Sequence, residues 1–139
     1  MTYTYLDRVP TPHEHRSLSE AVGWGHAFAW DAIPASLAAS TTGVVVYDRA
    51  DLVGMGRVIG DGVFFFYVQD IAVRPDHQGR GVGHEITRRL VARIDEIAPP
   101  KAFIGLFAAG QASDLYARHG FATHEDMTGM FRVVPDRSG

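Results

Sequence analysis

Asp70-Ile71-Ala72-Val73-Arg74-Pro75-Asp76-His77-Gln78-Gly79-Arg80-Gly81-Val82-Gly83 carries an apolar strand through a glycine-rich turn into the stretch His84 to Ala98. Pro75 closes the strand. Beyond the turn the period changes: Ile86, Leu90, Ile94 and Ile97 recur at helical spacing, and Arg88, Arg89 and Arg93 lie off that stripe. Glu85 and Arg89 stand four apart in the favourable order. A helix start offers unpaired N–H groups and the positive end of the dipole, and glycine admits a phosphate close to the backbone. An anion site is therefore expected at this turn. A tight strand-to-helix turn without a ligand is the plainer alternative for the glycines taken alone.

Spacing excludes two nucleotide sites. The triphosphate loop GxxxxGK[ST] occurs nowhere in the chain. The dinucleotide pattern GxGxxG begins at Gly79 and Gly81, but His84 holds its third glycine position. That candidate also lies mid-chain, after other strands, where a dinucleotide-binding unit does not open.

Upstream, Gly43-Val44-Val45-Val46-Tyr47 and Leu52 to Ile59 read as strands joined at Asp48-Arg49-Ala50-Asp51. Asp61-Gly62 turns the chain into a third strand, Val63 to Val73, which completes an antiparallel meander. Before it, Thr11-Pro12-His13-Glu14 opens a helix with a capping box, Leu18, Ala21 and Val22 form its apolar stripe, and Gly23 ends it. An aromatic and glycine-rich segment, Trp24 to Trp30, leads to a short helix at Ile33 to Ala39. Downstream, Pro99-Pro100 stops the long helix, and Ala102 to Phe107 reads as a buried strand. Strand, helix and strand form a βαβ crossover, so Val63–Val73 and Ala102–Phe107 should be parallel neighbours. A last helix, Gln111 to His119, carries Gly120 as its cap, and Thr128 to Val134 is a candidate terminal strand. The expected architecture is α/β with a mixed sheet in one domain, 1–139.

Composition narrows the chemistry. The chain has 139 residues, enough for a core without metal or disulfide support, and no cysteine. Disulfides, thiolate zinc sites and a covalent cysteine intermediate are excluded. A net charge of −3 without a basic run argues against nucleic-acid or anionic-membrane partners. The apolar run Val63 to Val68 is too short to span a bilayer, and Met1 to Asp7 shows no secretory pattern, so a cytoplasmic protein is expected. The seven histidines form no close ligand pattern: His13 and His15 point to different helix faces, and His77, His84, His119 and His124 read as surface or cap residues. No metal is expected.

Gln78-Gly79-Arg80-Gly81-Val82-Gly83 resembles the Q/R-x-x-G-x-G/A signature of the GNAT superfamily of N-acetyltransferases. Asp70 to Pro75 looks like that superfamily's fourth strand, and Leu115-Tyr116-Ala117-Arg118-His119-Gly120-Phe121 looks like its LYxxxGF element. The resemblance runs from about Val44 to Phe121. It implies acetyl-CoA as donor, with its pyrophosphate on the backbone of Gln78 to Gly83. It implies that the pantetheine arm pairs with Ile71, Ala72 and Val73, between parallel strands splayed apart. It also makes Tyr116 the candidate general acid for the departing thiolate; an aromatic filling the last helical turn is the alternative. Two positions depart from the family. Ala109 replaces an asparagine common seven residues before the tyrosine, and Phe103 to Phe107 lacks the LEVR pattern of enzymes that acetylate ribosomal proteins.

Acetyl transfer needs an amine that loses its proton and donors for the developing oxyanion. A backbone N–H near Ile71 or Val73 would serve if the strand is bulged there. Asp70 is the candidate base: strict alternation sets it with Phe64, Phe66, Val68 and Ala72, where burial would raise its pKa. Anchoring a bulge or pairing with Arg57 is the equal alternative. Trp24, Phe28 and Trp30 are candidates for the acceptor site, with plain core packing as the competing role. The expected acceptor is a small primary amine, such as an arylalkylamine, polyamine or amino sugar, acetylated by direct attack. The alternative function is a non-catalytic acyl-CoA-binding sensor or interaction module. A homodimer through the terminal strand is compatible with the sequence.

Overall fold

The computed structural model describes residues 2–110 and 112–137. Five strands stand side by side in chain order: β1 (Tyr3–Leu6), β2 (Thr42–Asp48), β3 (Asp51–Gly60), β4 (Phe65–Val73) and β5 (Phe103–Gly105). The first four pair antiparallel, as the meander requires, and β4 pairs β5 in parallel. Four α-helices accompany them: α1 (Pro12–Ala21), α2 (Ile33–Ala38), α3 (Val82–Ile97) and α4 (Ser113–Ala117). β1 had no counterpart in the sequence reading. Its Tyr-Thr-Tyr-Leu alternation is a weak strand signal, but Tyr3 and Tyr5 use it to pack against the core.

α3 covers one face of the sheet. Its Val82, Ile86, Leu90 and Ile94 pack with Val44, Val46, Val53, Val58, Phe66 and Val68, all buried. Ile97, the last member of the expected stripe, is exposed at the helix end. Gly56 lets α3 come close, because a Cβ there would stand 2.8 Å from Ile86 and 3.1 Å from Leu90. A second cluster joins Leu18 of α1 to Met55 and Ala72.

The capping box of α1 is formed. Glu14 N–H donates to the Thr11 hydroxyl at 3.1 Å, and Thr11 N–H donates to Glu14 Oε1 at 2.9 Å. The same carboxylate takes a fork from Arg8 and a bond from the Tyr47 hydroxyl, so it ties α1 to β2. The Arg8 hydrogen bonds outweigh burial and hold the Glu14 pKa at about 2. Because the folded value lies below the unfolded one, this stabilisation is complete above the ordinary glutamate range and disappears as pH falls from 4.5 towards 2. Glu14→Gln should therefore lower the thermal midpoint at pH 7, with the gap to the parent closing in acid. A gap independent of pH, measured by circular dichroism, would contradict it.

Two expected boundaries move for local reasons. β4 starts at Phe65 because Asp61 Oδ1 accepts the N–H groups of Val63, Phe64 and Phe65, which makes them a turn. The terminal strand is absent among the described residues: 128–134 form no strand pairing there, and Met130, Phe131, Val133 and Val134 are exposed. β-branched composition alone does not make a strand without a neighbour to accept its hydrogen bonds. The last helix is shorter than expected, and Gln111, its expected first residue, lies outside the described residues.

Candidate functional site

β4 and β5 pair only from Phe65–Phe103 to Tyr67–Gly105. Beyond that the strands part, and a groove of about 720 Å³ opens beside the upper half of β4. Ile71 and Val73 form one wall, Gln78 to Gly83 (Arg80 excepted) the floor, and Leu115 and Tyr116 of α4 the other wall. Residues far apart in the chain, which the motifs had grouped, thus meet in one cleft.

The floor is built for close approach. Gly79 has φ +78° and Gly81, the N-cap of α3, has φ +83°. A Cβ at either position would meet no heavy atom within 4 Å, so the space over both is open. Gln78 donates from Nε2 to the Val73 carbonyl at 3.0 Å, which holds the loop against β4. Val82 turns into the core and is 1% exposed. Gly83 lines the groove, and a Cβ there would meet Leu115 at an ordinary 3.6 Å. A backbone of this shape, ahead of a 16-residue helix, suits a pyrophosphate, and the residues fit acetyl-CoA. Arg80 is exposed and lies off the groove lining. Ala72 does too, being buried on the opposite face beside Leu18.

Tyr116 reaches the groove from α4. Burial raises its hydroxyl pKa, so it is protonated at neutral pH and can donate. Ala109 also lines the groove and offers no side-chain hydrogen bond there. His84 and Arg118 add a basic rim: Arg118 Nη1 lies 3.4 Å from His84 Nε2, and His84 Nδ1 lies 3.3 Å from His119 Nε2. No spacing in the sequence marks that cluster, since its members are brought together by α3 and α4.

Asp70 departs from strict alternation. Opposite Gly56, β4 carries two residues, Asp70 and Ile71, where β3 carries one, and Asp70 has φ +57°. The bulge changes the parity of the strand. Phe66 and Val68 face α3, whereas Ala72 packs beside α1 and Asp70 bonds to it. The expected set of Phe64, Phe66, Val68, Asp70 and Ala72 on one face is therefore corrected. So is the expected pKa: burial pushes the Asp70 carboxyl upward, but the His15 hydrogen bond and the Arg57 charge outweigh it and leave it lowered. Arg57 Nε donates to Asp70 Oδ2 at 2.8 Å, and its other nitrogens bond the Ser36 carbonyl, Ser36 Oγ and Ser40 Oγ.

The three aromatic candidates fall on the α1 side of the bulge. Phe28 and Trp30 meet His15 edge-on, with centroids 5.0 and 6.0 Å away, and touch each other at 5.2 Å. Trp24 packs on the cluster of Leu18, Met55 and Ala72, a core role. His15, fully buried, bonds Asp70 through Nε2 at 3.0 Å, a contact across 55 residues that no sequence spacing signals. His13 on the same helix is exposed, as their spacing required.

The sheet is mixed, its parallel strands part over a glycine-capped helix, and the comparisons place the chain. The family model for the acetyltransferase (GNAT) domain matches residues 16–131, and the chain belongs to that family. A protein of unknown function from meticillin-resistant Staphylococcus aureus superposes with a TM-score of 0.87 at 30% identity, covering 96% of this chain and 100% of that one. A GNAT-family acetyltransferase from Streptococcus pneumoniae shares the fold at 22% identity, with a TM-score of 0.80 and coverage of 97% and 100%. Among curated proteins, GCN5-related N-acetyltransferase 2, chloroplastic, of Arabidopsis thaliana is 36% identical over 58% of this chain and 31% of its own length. Serotonin N-acetyltransferase 2, chloroplastic, of Oryza sativa subsp. japonica is 38% identical over 53% of this chain and 36% of its own. The match thus spans about a third of these curated relatives' length.

Proposed function

We propose that the chain transfers an acetyl group from acetyl-CoA directly to a small primary amine. The observation that carries this reading is the cleft itself, where the open backbone of Gly79 and Gly81, the Tyr116 hydroxyl and the β4 bulge share one groove and its edge. Gln78 to Gly83 would hold the pyrophosphate, and Ile71 and Val73 the pantetheine arm. Bound there, acetyl-CoA supplies a thioester carbonyl as the electrophile. The amine nitrogen bonds to that carbon, the carbon–sulfur bond breaks with its electron pair on sulfur, and an amide results. Tyr116 gives its proton to the departing sulfur, and the nitrogen's proton leaves to Asp70 or through a water beside it. A carboxylate with a lowered pKa is a weak base, but the nitrogen becomes far more acidic once bonded to the carbonyl carbon. The bulge at Asp70 and Ile71 interrupts the ladder where a backbone N–H would meet the oxyanion.

Phe28 and Trp30 on the Asp70 side favour an acceptor that combines an apolar or aromatic body with an amine. The rice relative's name, with serotonin in it, gives one reason to include arylalkylamines among the acceptors tested. One observation favours the second reading, a non-catalytic acyl-CoA sensor: Asp70 is already engaged by Arg57 and His15. Exposed Met130, Phe131 and Val133 support a homodimer as part of the proposal. Cytoplasmic placement is kept as a proposal too; among the described residues no helix is long and apolar enough to cross a membrane.

The test is CoA thiol release from acetyl-CoA against arylalkylamines, polyamines and amino sugars. Turnover of at least one is expected. Tyr116→Phe should lower kcat about ten- to a hundredfold while acetyl-CoA affinity stays within about twofold. Tight acetyl-CoA binding with no turnover, and no effect of Tyr116→Phe, would establish the sensor instead.

A further inference from the structure

His15 is a buried titratable group to which the mechanism above gives no task. It sits on α1 with no exposed surface, enclosed edge-on by Phe28 and Trp30. Its Nε2 lies 3.0 Å from Asp70 Oδ2, and its Nδ1 lies 3.4 Å from Ser19 Oγ. An ionised carboxylate only accepts, so Nε2 carries the proton in this pair whatever happens at Nδ1. Arg57 Nε donates to the same Oδ2 at 2.8 Å. Oδ1 receives no hydrogen bond from the described residues. No buried side-chain polar atom among the described residues lacks a partner, so Oδ1 is not sealed in; 11% of the Asp70 side chain is exposed. The titratable and charged groups bonded to Asp70 are thus His15 from α1 and Arg57 from β3.

We infer that His15 is a positioning residue for the acceptor amine: with Arg57 it occupies one oxygen of Asp70, so that the other is presented to the amine N–H. Two donors on one oxygen fix the plane of the carboxylate, which a single arginine contact would leave free to rotate. The imidazole also links the bulge of β4 to the aromatic segment, because the rings that enclose it are Phe28 and Trp30. Acceptor geometry and the position of that segment are therefore coupled through one side chain.

The inference rests on the reading of Asp70 as the group that meets the amine, and the variants separate the two. His15→Met removes the donor at similar volume, and His15→Gln keeps an N–H at the position of Nε2. With the best amine of the panel, His15→Met should lower kcat/KM for the amine about tenfold, His15→Gln should regain most of that loss, and acetyl-CoA affinity should stay within about twofold for both. Unchanged amine kinetics in His15→Met, or equal losses in both variants, would overturn the role of His15 alone, provided Asp70→Asn is strongly impaired. Unimpaired Asp70→Asn would overturn the underlying reading and the inference with it. Imidazole 15N NMR of the unliganded parent protein gives a check that needs neither turnover nor a stable variant. It should show a proton on Nε2 of His15, and a neutral ring protonated on Nδ1 alone would overturn the proposal.

Discussion

A protein carrying Gly81→Val is expected to fold and to lose acetyl-CoA. Gly81 has φ +83°, a conformation that costs an L-residue about 1–2 kcal/mol, somewhat more when it is β-branched. No atom of the chain would clash with the new Cβ, so the penalty is conformational and small enough to leave a folded protein. The isopropyl group would instead stand in the open space that a phosphate needs. Losing two charge-assisted backbone contacts, each worth roughly 1.5–3 kcal/mol, predicts a Kd raised at least about a hundredfold. Gly62 provides the control. It has φ +75° with nothing within 4 Å of a Cβ, and it lies in the β3–β4 turn instead of the groove. Gly62→Val should lose similar stability and keep its affinity in calorimetry. Equal affinities in the two variants would show that the loop does not hold the donor.

Arg57→Met should cost about 3–5 kcal/mol of stability, read from urea unfolding. Arg57 is 6% exposed, and its guanidinium bonds Asp70, Ser36 and Ser40 at once. Removing it leaves the Asp70 carboxylate largely buried with His15 as its remaining partner. Arg57→Met/Asp70→Asn should be less destabilised than the two single changes added together, because no unpaired charge is left behind. The sign with pH follows from the same charge. In the parent protein Asp70 is lowered, so its contribution is present above the ordinary aspartate range and is lost as pH falls. In Arg57→Met the buried carboxyl would bind a proton more readily. The gap to the parent should therefore narrow in acid, and a widening gap would refute the account.

What was legible in the chain was local or periodic. The capping box of α1, the three meander strands, the stripe of α3 and the glycine turn each rest on neighbours within one turn or one pair of strands. The βαβ order fixed the parallel pairing of β4 with β5. What was not legible depended on partners. β1 needs β2 beside it, and residues 128–134 find no partner strand among the described residues, although their composition reads more strongly as a strand than that of β1. Within the site, motifs named Gln78 to Gly83 and Tyr116, but only the parting of the strands made them walls of one groove.

Asp70 marks the dividing line. Sequence alone determined that a carboxylate lies in an apolar strand just ahead of a glycine-rich turn, and that no cysteine is present to carry an acyl group. Which way that carboxylate points was decided by one extra residue opposite Gly56, since period-two alternation inverts at a bulge and a single sequence does not show where the partner strand skips. Its ionisation was decided by Arg57 and His15, from another strand and a helix 55 residues away along the chain. Charge and burial add up in space, so only the tertiary structure could set the sign of that shift.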